Sequence, residues 1–271
     1  MNIRLQLFEL EDQQWFPHVV RQGMQDYLRF MISTLSTYEA ALPLLEELLM
    51  KTQQQHITDL CSGAGGGIAG IRAALSKRMG VPVRVTLTDL YPNLDAYEYL
   101  YNESKGTITF VPEPVNALAV PDQLHGVRTI FSSFHHFPPH IAQNILQDAV
   151  DKKAAIGIFE GAKKSWTELL LLWITFPIVI ILVTPFIRPF KLSRLFFTYI
   201  IPLIPIGILW DGTVSLLRIY PPKKLMSLAK QVKGAKYIWK AGRTGGGPGK
   251  HVIYLIGYPE GSEQVNEQVS G

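Results

Sequence analysis

The chain has 271 residues, of which 47% are apolar, 18% charged and 11% aromatic. That balance describes a globular protein long enough for one large α/β domain, and it excludes a disordered or fibrous chain. The net charge of +4 conceals an asymmetry: residues 188–250 hold 12 basic residues and one acid, Asp211, leaving 14 basic and 21 acidic residues elsewhere. Segregation of this kind points to an anionic partner. Cys61 is the one cysteine, so an internal disulfide and a Cys-based zinc site are both excluded, no metal ligand set is read, and a reducing compartment fits. Residues 1–15 carry Arg4, Glu9, Glu11 and Asp12 among apolar positions, unlike a secretory signal, so the amino terminus is expected to stay in the cytoplasm.

Residues 13–52 read as two helices, the second with Leu42, Leu44, Leu45, Leu48 and Leu49 at helical spacing and Pro43 near its start. Residues 1–54 are therefore expected to form a helical cap. An alternation follows: strands over 56–60, 82–87, 107–111, 127–134 and 154–159, with helices over 67–79, 94–104 and 141–152. Short apolar strands alternating with helices predict right-handed βαβ units on a mostly parallel sheet, spanning 55–168.

The composition then changes. Residues 169–187 and 195–210 are uncharged runs separated by a connector holding Arg188, Lys191 and Arg194. At about 1.5 Å per residue they measure about 28 and 24 Å, against roughly 30 Å for a bilayer core. Pro177, Pro185, Pro202 and Pro205 are expected to bend or interrupt both helices. A spanning hairpin would carry the basic connector to the outer side, against the positive-inside tendency. The expectation is a hairpin over 169–210 that enters one leaflet, with the connector and the lysines after it near anionic head groups. A buried lid in a soluble protein is the other reading. The rest of the core, 211–259, is a helix over 222–232 and two strands over 237–242 and 251–257, an antiparallel pair joined by a glycine-rich segment; the tail, 260–271, is expected to be disordered. That segment fails as a P-loop, with Thr244 where the first glycine should stand and His251 after the lysine.

Chemistry concentrates in Asp59-Leu60-Cys61-Ser62-Gly63-Ala64-Gly65-Gly66-Gly67, where a strand ends in a glycine-rich turn that opens a helix. Such a turn lets backbone amides approach a ligand closely. Asp89 ends the next strand, 22 residues beyond Gly67, which suits a carboxylate taking both ribose hydroxyls of a nucleotide-like cofactor. His135 and His136 follow the fourth strand at the edge where open α/β sheets place ligands, and Glu160 ends the fifth. Asp211 closes the second apolar run, where a carboxylate is costly to bury. Trp15, Arg21, Asp26 and Tyr27 lie on the cap, as aromatic staples or as closure over the cofactor.

These features resemble the class I S-adenosylmethionine (SAM)-dependent methyltransferases over residues 55–165, and loosely over the last two strands. Residues 59–67 look like the family's first motif and Asp89 like its ribose acid. Asn116-Ala117 looks like the position beside the adenine, and Phe134-His135-His136-Phe137-Pro138 like a His-His-Phe-Pro element after the fourth strand. Cys61 replaces the usual first glycine, and Asn116 stands where Asp is common. The resemblance implies a Rossmann-like methyltransferase sheet with SAM bound by Asp59, Cys61, Ser62, Gly63, Gly65, Asp89, Leu90, Asn116, Ala117, Phe134 and His135. His136, Glu160 and Asp211 are the candidate catalytic groups. Together with the apolar insertion it implies methylation, at the cytoplasmic face of a membrane, of a lipid head group, quinone or isoprenoid-like acceptor. The alternative is a non-catalytic SAM-binding membrane adaptor or sensor. Nucleic acid is not an expected partner, because the lysines flank an apolar hairpin instead of interleaving with stacking aromatics.

Overall fold

The computed structural model describes residue 5 and residues 7–162, 165–246 and 251–261. Strands β1 (His56–Asp59), β2 (Arg84–Leu87), β3 (Ile108–Phe110), β4 (Val127–Phe131), β5 (Ile156–Glu160), β6 (Tyr237–Thr244) and β7 (Val252–Pro259) form one sheet in the order β3-β2-β1-β4-β5-β7-β6. The first five strands run parallel, and β7 lies antiparallel between β5 and β6. The mostly parallel sheet with an antiparallel terminal pair expected from the sequence is thus observed. Part of the glycine-rich connector, 247–250, and all but the first two residues of the expected tail lie outside the described residues. Strand order reverses between β1 and β4, so a crevice opens at their carboxyl ends.

Central strands must be apolar on both faces, and β5 is buried along its whole length. One face of the sheet is covered by α2 (Leu42–Lys51), α3 (Ile68–Met79) and α4 (Leu94–Glu103), through Leu45, Leu48, Leu75 and Tyr97. The other is covered by α5 (Pro139–Asp151) and α9 (Pro222–Ala229), through Ile145, Leu146, Leu225 and Leu228. β4 stops at Phe131, three residues short of the expected end, because residues 134–136 coil into a 3₁₀ turn.

The insertion is α6 (Trp166–Val183), a 3₁₀ turn (Thr184–Phe186), α7 (Leu192–Tyr199) and α8 (Leu203–Arg218). The expected two-helix hairpin is corrected in two respects. Helix α6 runs unbroken through Pro177, while α7 and α8 meet at 76°, so the second apolar run is split into two helices. Pro205 sits in the first turn of α8, where a missing N–H removes no intrahelical bond.

The insertion packs on α1 (His18–Leu35), and Phe16, Val20, Met24 and Tyr27 bury against Ile180, Ile187, Ile204 and Ile208. Close approach needs small residues: a Cβ on Gly23 would stand 2.4 Å from Ile204, and one on Gly207 2.6 Å from the sulfur of Met24. The connector also departs from expectation. Arg194 is 2% exposed, pairs with Asp26 of α1 at 2.7 Å and donates to the Ile187 carbonyl. Lys191 lies 3.4 Å from Asp26 and 2.9 Å from Asp95. Two of the three connector cations therefore face the protein, because a buried Asp26 requires them; Arg188 stays exposed.

With its connector fastened to the cap, the insertion lies along the domain. Leu172 and Ile180 turn inward from α6. Leu170, Ile174, Ile178 and Leu182, at helical spacing, form an exposed apolar stripe, with Trp166 and Trp173 beside it.

Candidate active site

A cavity of about 310 Å³ opens at the carboxyl ends of β1, β2 and β4, roofed by α1 and residues 11–12. Its floor is the turn after β1. Gly63, Gly65 and Gly66 hold φ of 55°, 85° and 38°, the left-handed region that favours glycine. A Cβ on Gly65 would strike Leu100 at 2.3 Å, whereas one on Gly66 would meet nothing within 4 Å. Cys61 adopts φ 55° without being glycine, a strain of about 1–2 kcal/mol. Burial, with Asp89 and Asp59 nearby, pushes its thiol well up, so it is neutral and no nucleophile.

Asp89 braces this turn. Its carboxylate accepts from the Gly63 amide at 2.8 Å and from the Tyr91 amide at 2.8 Å. Burial raises its pKa against those bonds. Asp59, behind the turn, accepts from the Thr129 hydroxyl at 2.6 Å, and burial lifts its carboxyl to about 7. Ser62 joins β1 to β2 by donating its amide to the Thr88 carbonyl at 3.0 Å.

Opposite the turn, five ionisable side chains gather. His136 Nδ1 lies 2.8 Å from Asp12, and its Nε2 lies 3.3 Å from Glu9 and 3.6 Å from Glu11. Burial alone would lower His136, but Glu9, Asp12 and Glu11 overcome it and hold the imidazolium up to about 10. Burial would likewise raise Asp12, yet His136 and Arg218 pull it below its ordinary value; burial raises Glu11 to about 8. Arg218 donates to Glu9 at 2.8 Å, to Asp12 at 3.2 Å and to the His136 carbonyl at 3.0 Å.

The residues singled out in the sequence divide accordingly. Asp59, Cys61, Ser62, Gly63, Gly65, Asp89, Leu90 and His136 line the cavity. The other six stand apart from its lining. Asn116 is exposed, and its side chain accepts from the Leu118 amide, a turn role natural to Asn; Ala117 is packed in the core. Phe134 is fully buried against Phe137 and Tyr220, because the 3₁₀ turn points it inward. Glu160 accepts from the His135 amide at 2.9 Å and lies 2.8 Å from its Nδ1, so each of this pair occupies the other. Asp211 accepts from the Leu10 and Glu11 amides at 2.7 and 3.1 Å, anchoring the amino-terminal segment instead of meeting a ligand directly. Of the cap residues, Arg21 reaches the cavity, donating to the Glu11 and Gln13 carbonyls, while Trp15 is exposed. Glu9, Glu11, Asp12 and Arg218 had no assigned role in the sequence; the only signal was three acids within an apolar segment.

No family model matches the sequence, and no curated protein is similar to it. Solved structures are similar in fold. The citrinin polyketide synthase CMeT domain aligns with a TM-score of 0.50 at 16% identity, over 87% of this chain and 56% of that one. NcsB1, an O-methyltransferase from neocarzinostatin biosynthesis solved with SAM and 2-hydroxy-5-methyl naphthoic acid, aligns at 0.48 and 13% identity, over 88% and 59%. An O-methyltransferase family protein from Burkholderia thailandensis aligns at 0.46 and 14% identity, over 87% and 59%. The chain spans less than two thirds of the length of each. The shared architecture is the Rossmann-like methyltransferase fold.

Proposed function

We propose that this chain is a SAM-dependent methyltransferase that works at the cytoplasmic face of a membrane on a lipid-soluble acceptor. The observation that carries the cofactor is the bracing of the left-handed glycine turn by Asp89 at 2.8 Å, within a cavity of nucleoside size. The space beyond Gly66 that a Cβ would fill is the cradle such a group needs. Asp89 would hold the ribose hydroxyls and the backbone of residues 63–67 the amino-acid end.

SAM, when bound, supplies a methyl group on a sulfonium, which leaves by in-line displacement. The chain's own residues then position the partners and exclude water. Asp59 and Asp89 place two carboxyl groups beneath the site, while α1 and residues 11–12 close it from above. Glu11, Asp12 and His136 are the polar groups opposite the turn, where an acceptor head group would meet them. Glu160 and Asp211 act as positioning residues, one through His135 and the other through the Glu11 backbone.

The membrane half of the reading rests on the stripe along α6, within a segment of 21 residues long and apolar enough to cross a bilayer. Because the connector is tied to Asp26 and Asp95, the insertion is read as lying in the interface. Arg188, Lys223, Lys224 and Lys230 are exposed cations available to anionic lipid.

Calorimetric titration of the detergent-held protein with SAM and S-adenosylhomocysteine tests the cofactor, with Asp89→Ala as the control. Binding that falls at least about tenfold in the variant is expected, as is labelled methyl entering a membrane lipid extract. No binding of either compound overturns the reading; binding without any methylated product reduces it to a SAM-binding adaptor.

A further inference from the structure

We propose that Glu9, His135 and His136, with Glu11 beside them, hold a divalent transition-metal ion on the wall of the cavity. The ligating atoms of the first three all lie within 4.8 Å of one another. In a tetrahedral shell with bonds of about 2.1 Å, ligand atoms stand about 3.4 Å apart, so closing the shell needs side-chain shifts of up to about one ångström.

The two imidazoles are oriented alike. His135 has Nδ1 at 2.8 Å from Glu160 and Nε2 at 3.7 Å from Glu9. His136 has Nδ1 at 2.8 Å from Asp12 and Nε2 at 3.3 Å from the other oxygen of Glu9. Each Nδ1 thereby faces a carboxylate and each Nε2 faces Glu9, so the two Nε2 atoms converge on one acid. That is the carboxylate–histidine–metal arrangement, present twice around one acid. Glu11, 3.6 Å from His136 Nε2, offers a further oxygen from the cavity side.

Carboxyl groups crowd the site. Glu9, Glu11, Asp12, Glu160 and Asp211 converge here, and Arg218 is the guanidinium that bonds Glu9 and Asp12. A divalent ion entering beside Glu9 would displace the proton from His136 Nε2 and take over its pairing with Glu9 and Glu11. Mixed nitrogen and oxygen donors suit zinc, manganese or iron instead of calcium or magnesium. Because His136 and Glu11 also line the cavity, the open side of the ion faces it. Resting on the methyltransferase reading, this places a Lewis acid where the acceptor head group would dock.

The experiment uses tag-free protein stripped with EDTA and titrated with zinc, and separately with manganese, by calorimetry and elemental analysis. S-adenosylhomocysteine affinity is measured on the same preparation. One ion per chain is expected, bound at least about tenfold more weakly by Glu9→Gln and by His136→Gln, and about tenfold more weakly by the positioning variant Glu160→Gln. Circular dichroism of His136→Gln, a site at the edge of the cluster, guards against a loss of fold. Protein that takes up no more metal than a buffer blank, or variants that bind as the parent does, overturns the metal site. Metal binding without S-adenosylhomocysteine binding keeps the metal site and overturns the methyltransferase reading; the reverse pattern does the opposite.

Discussion

Asp26 of the cap helix and Arg194 of the apolar insertion form an ion pair at 2.7 Å in which neither side chain is more than 2% exposed. A buried charge left without its partner is far more costly than the pair itself is stabilising. Asp26→Asn is therefore expected to lose about 3–5 kcal/mol in denaturant unfolding, because Arg194 and Lys191 remain beside a neutral group. Asp26→Leu with Arg194→Met should recover most of that loss. A double variant as unstable as the single one would show that the pair does more than balance charge.

The two glycines at the cavity floor separate strain from contact. In Gly65→Ala the added carbon meets Leu100 as well as an unfavourable φ, so a loss of about 2–3 kcal/mol in stability is expected. Gly66→Ala meets only the strain, about 1 kcal/mol, and its methyl enters the space assigned to the cofactor. Calorimetry should find S-adenosylhomocysteine affinity reduced in Gly66→Ala out of proportion to its stability. Unchanged affinity would move the cofactor away from this turn.

Asp59 predicts a pH dependence. An unfolded chain releases its proton near the ordinary value of 3.8, and burial delays release in the folded chain to about 7. The folded state then binds more protons between those values, so this group's contribution is complete below pH 3.8 and is lost as pH rises through 7. The loss is on the order of 2–4 kcal/mol. Asp59→Asn should flatten the fall in melting temperature between pH 5 and pH 8. An unaltered slope in the variant would remove Asp59 from this role.

Aspartate placed on the outer stripe of α6 tests the membrane reading. Ile174 and Ile178 are 58% and 60% exposed, so Ile174→Asp with Ile178→Asp should leave stability in detergent-free buffer within about 0.5 kcal/mol of the parent. Partitioning onto vesicles containing anionic lipid should fall at least about tenfold. Ile180→Asp, on the buried side, should unfold the insertion instead. Vesicle binding that survives the double substitution would show that the stripe is not the lipid contact.

What was legible in the sequence is what local pattern encodes. Alternating apolar strands and helices revealed the sheet, and the run from Asp59 to Gly67 with Asp89 beyond it revealed the cavity floor, because a turn between strand and helix is built from neighbours in the chain. Glu9 is the opposite case. It stands 126 residues before His135, and nothing in Glu9-Leu10-Glu11-Asp12 announces that the segment folds back over the sheet onto Asp211. The connector cations were read as facing anionic head groups for the same reason, since Asp26, their partner, lies 168 positions before Arg194. Asn116 and Phe134 show a third limit: a motif places the backbone near a site, but the turn that follows decides which way the side chain points.

Helix α1 belongs to two structures at once. Gln25, Arg29 and Ile32 border the cavity, while Val20, Met24 and Tyr27 are buried against the insertion. A rigid rod with those two faces cannot shift against one without shifting against the other. If lipid contact changes its position, linkage makes the effect mutual: the factor by which a bilayer alters cofactor affinity equals the factor by which cofactor alters bilayer affinity. On the proposed function, the protein would then sense its own location, holding the donor differently in bulk water than at a bilayer surface.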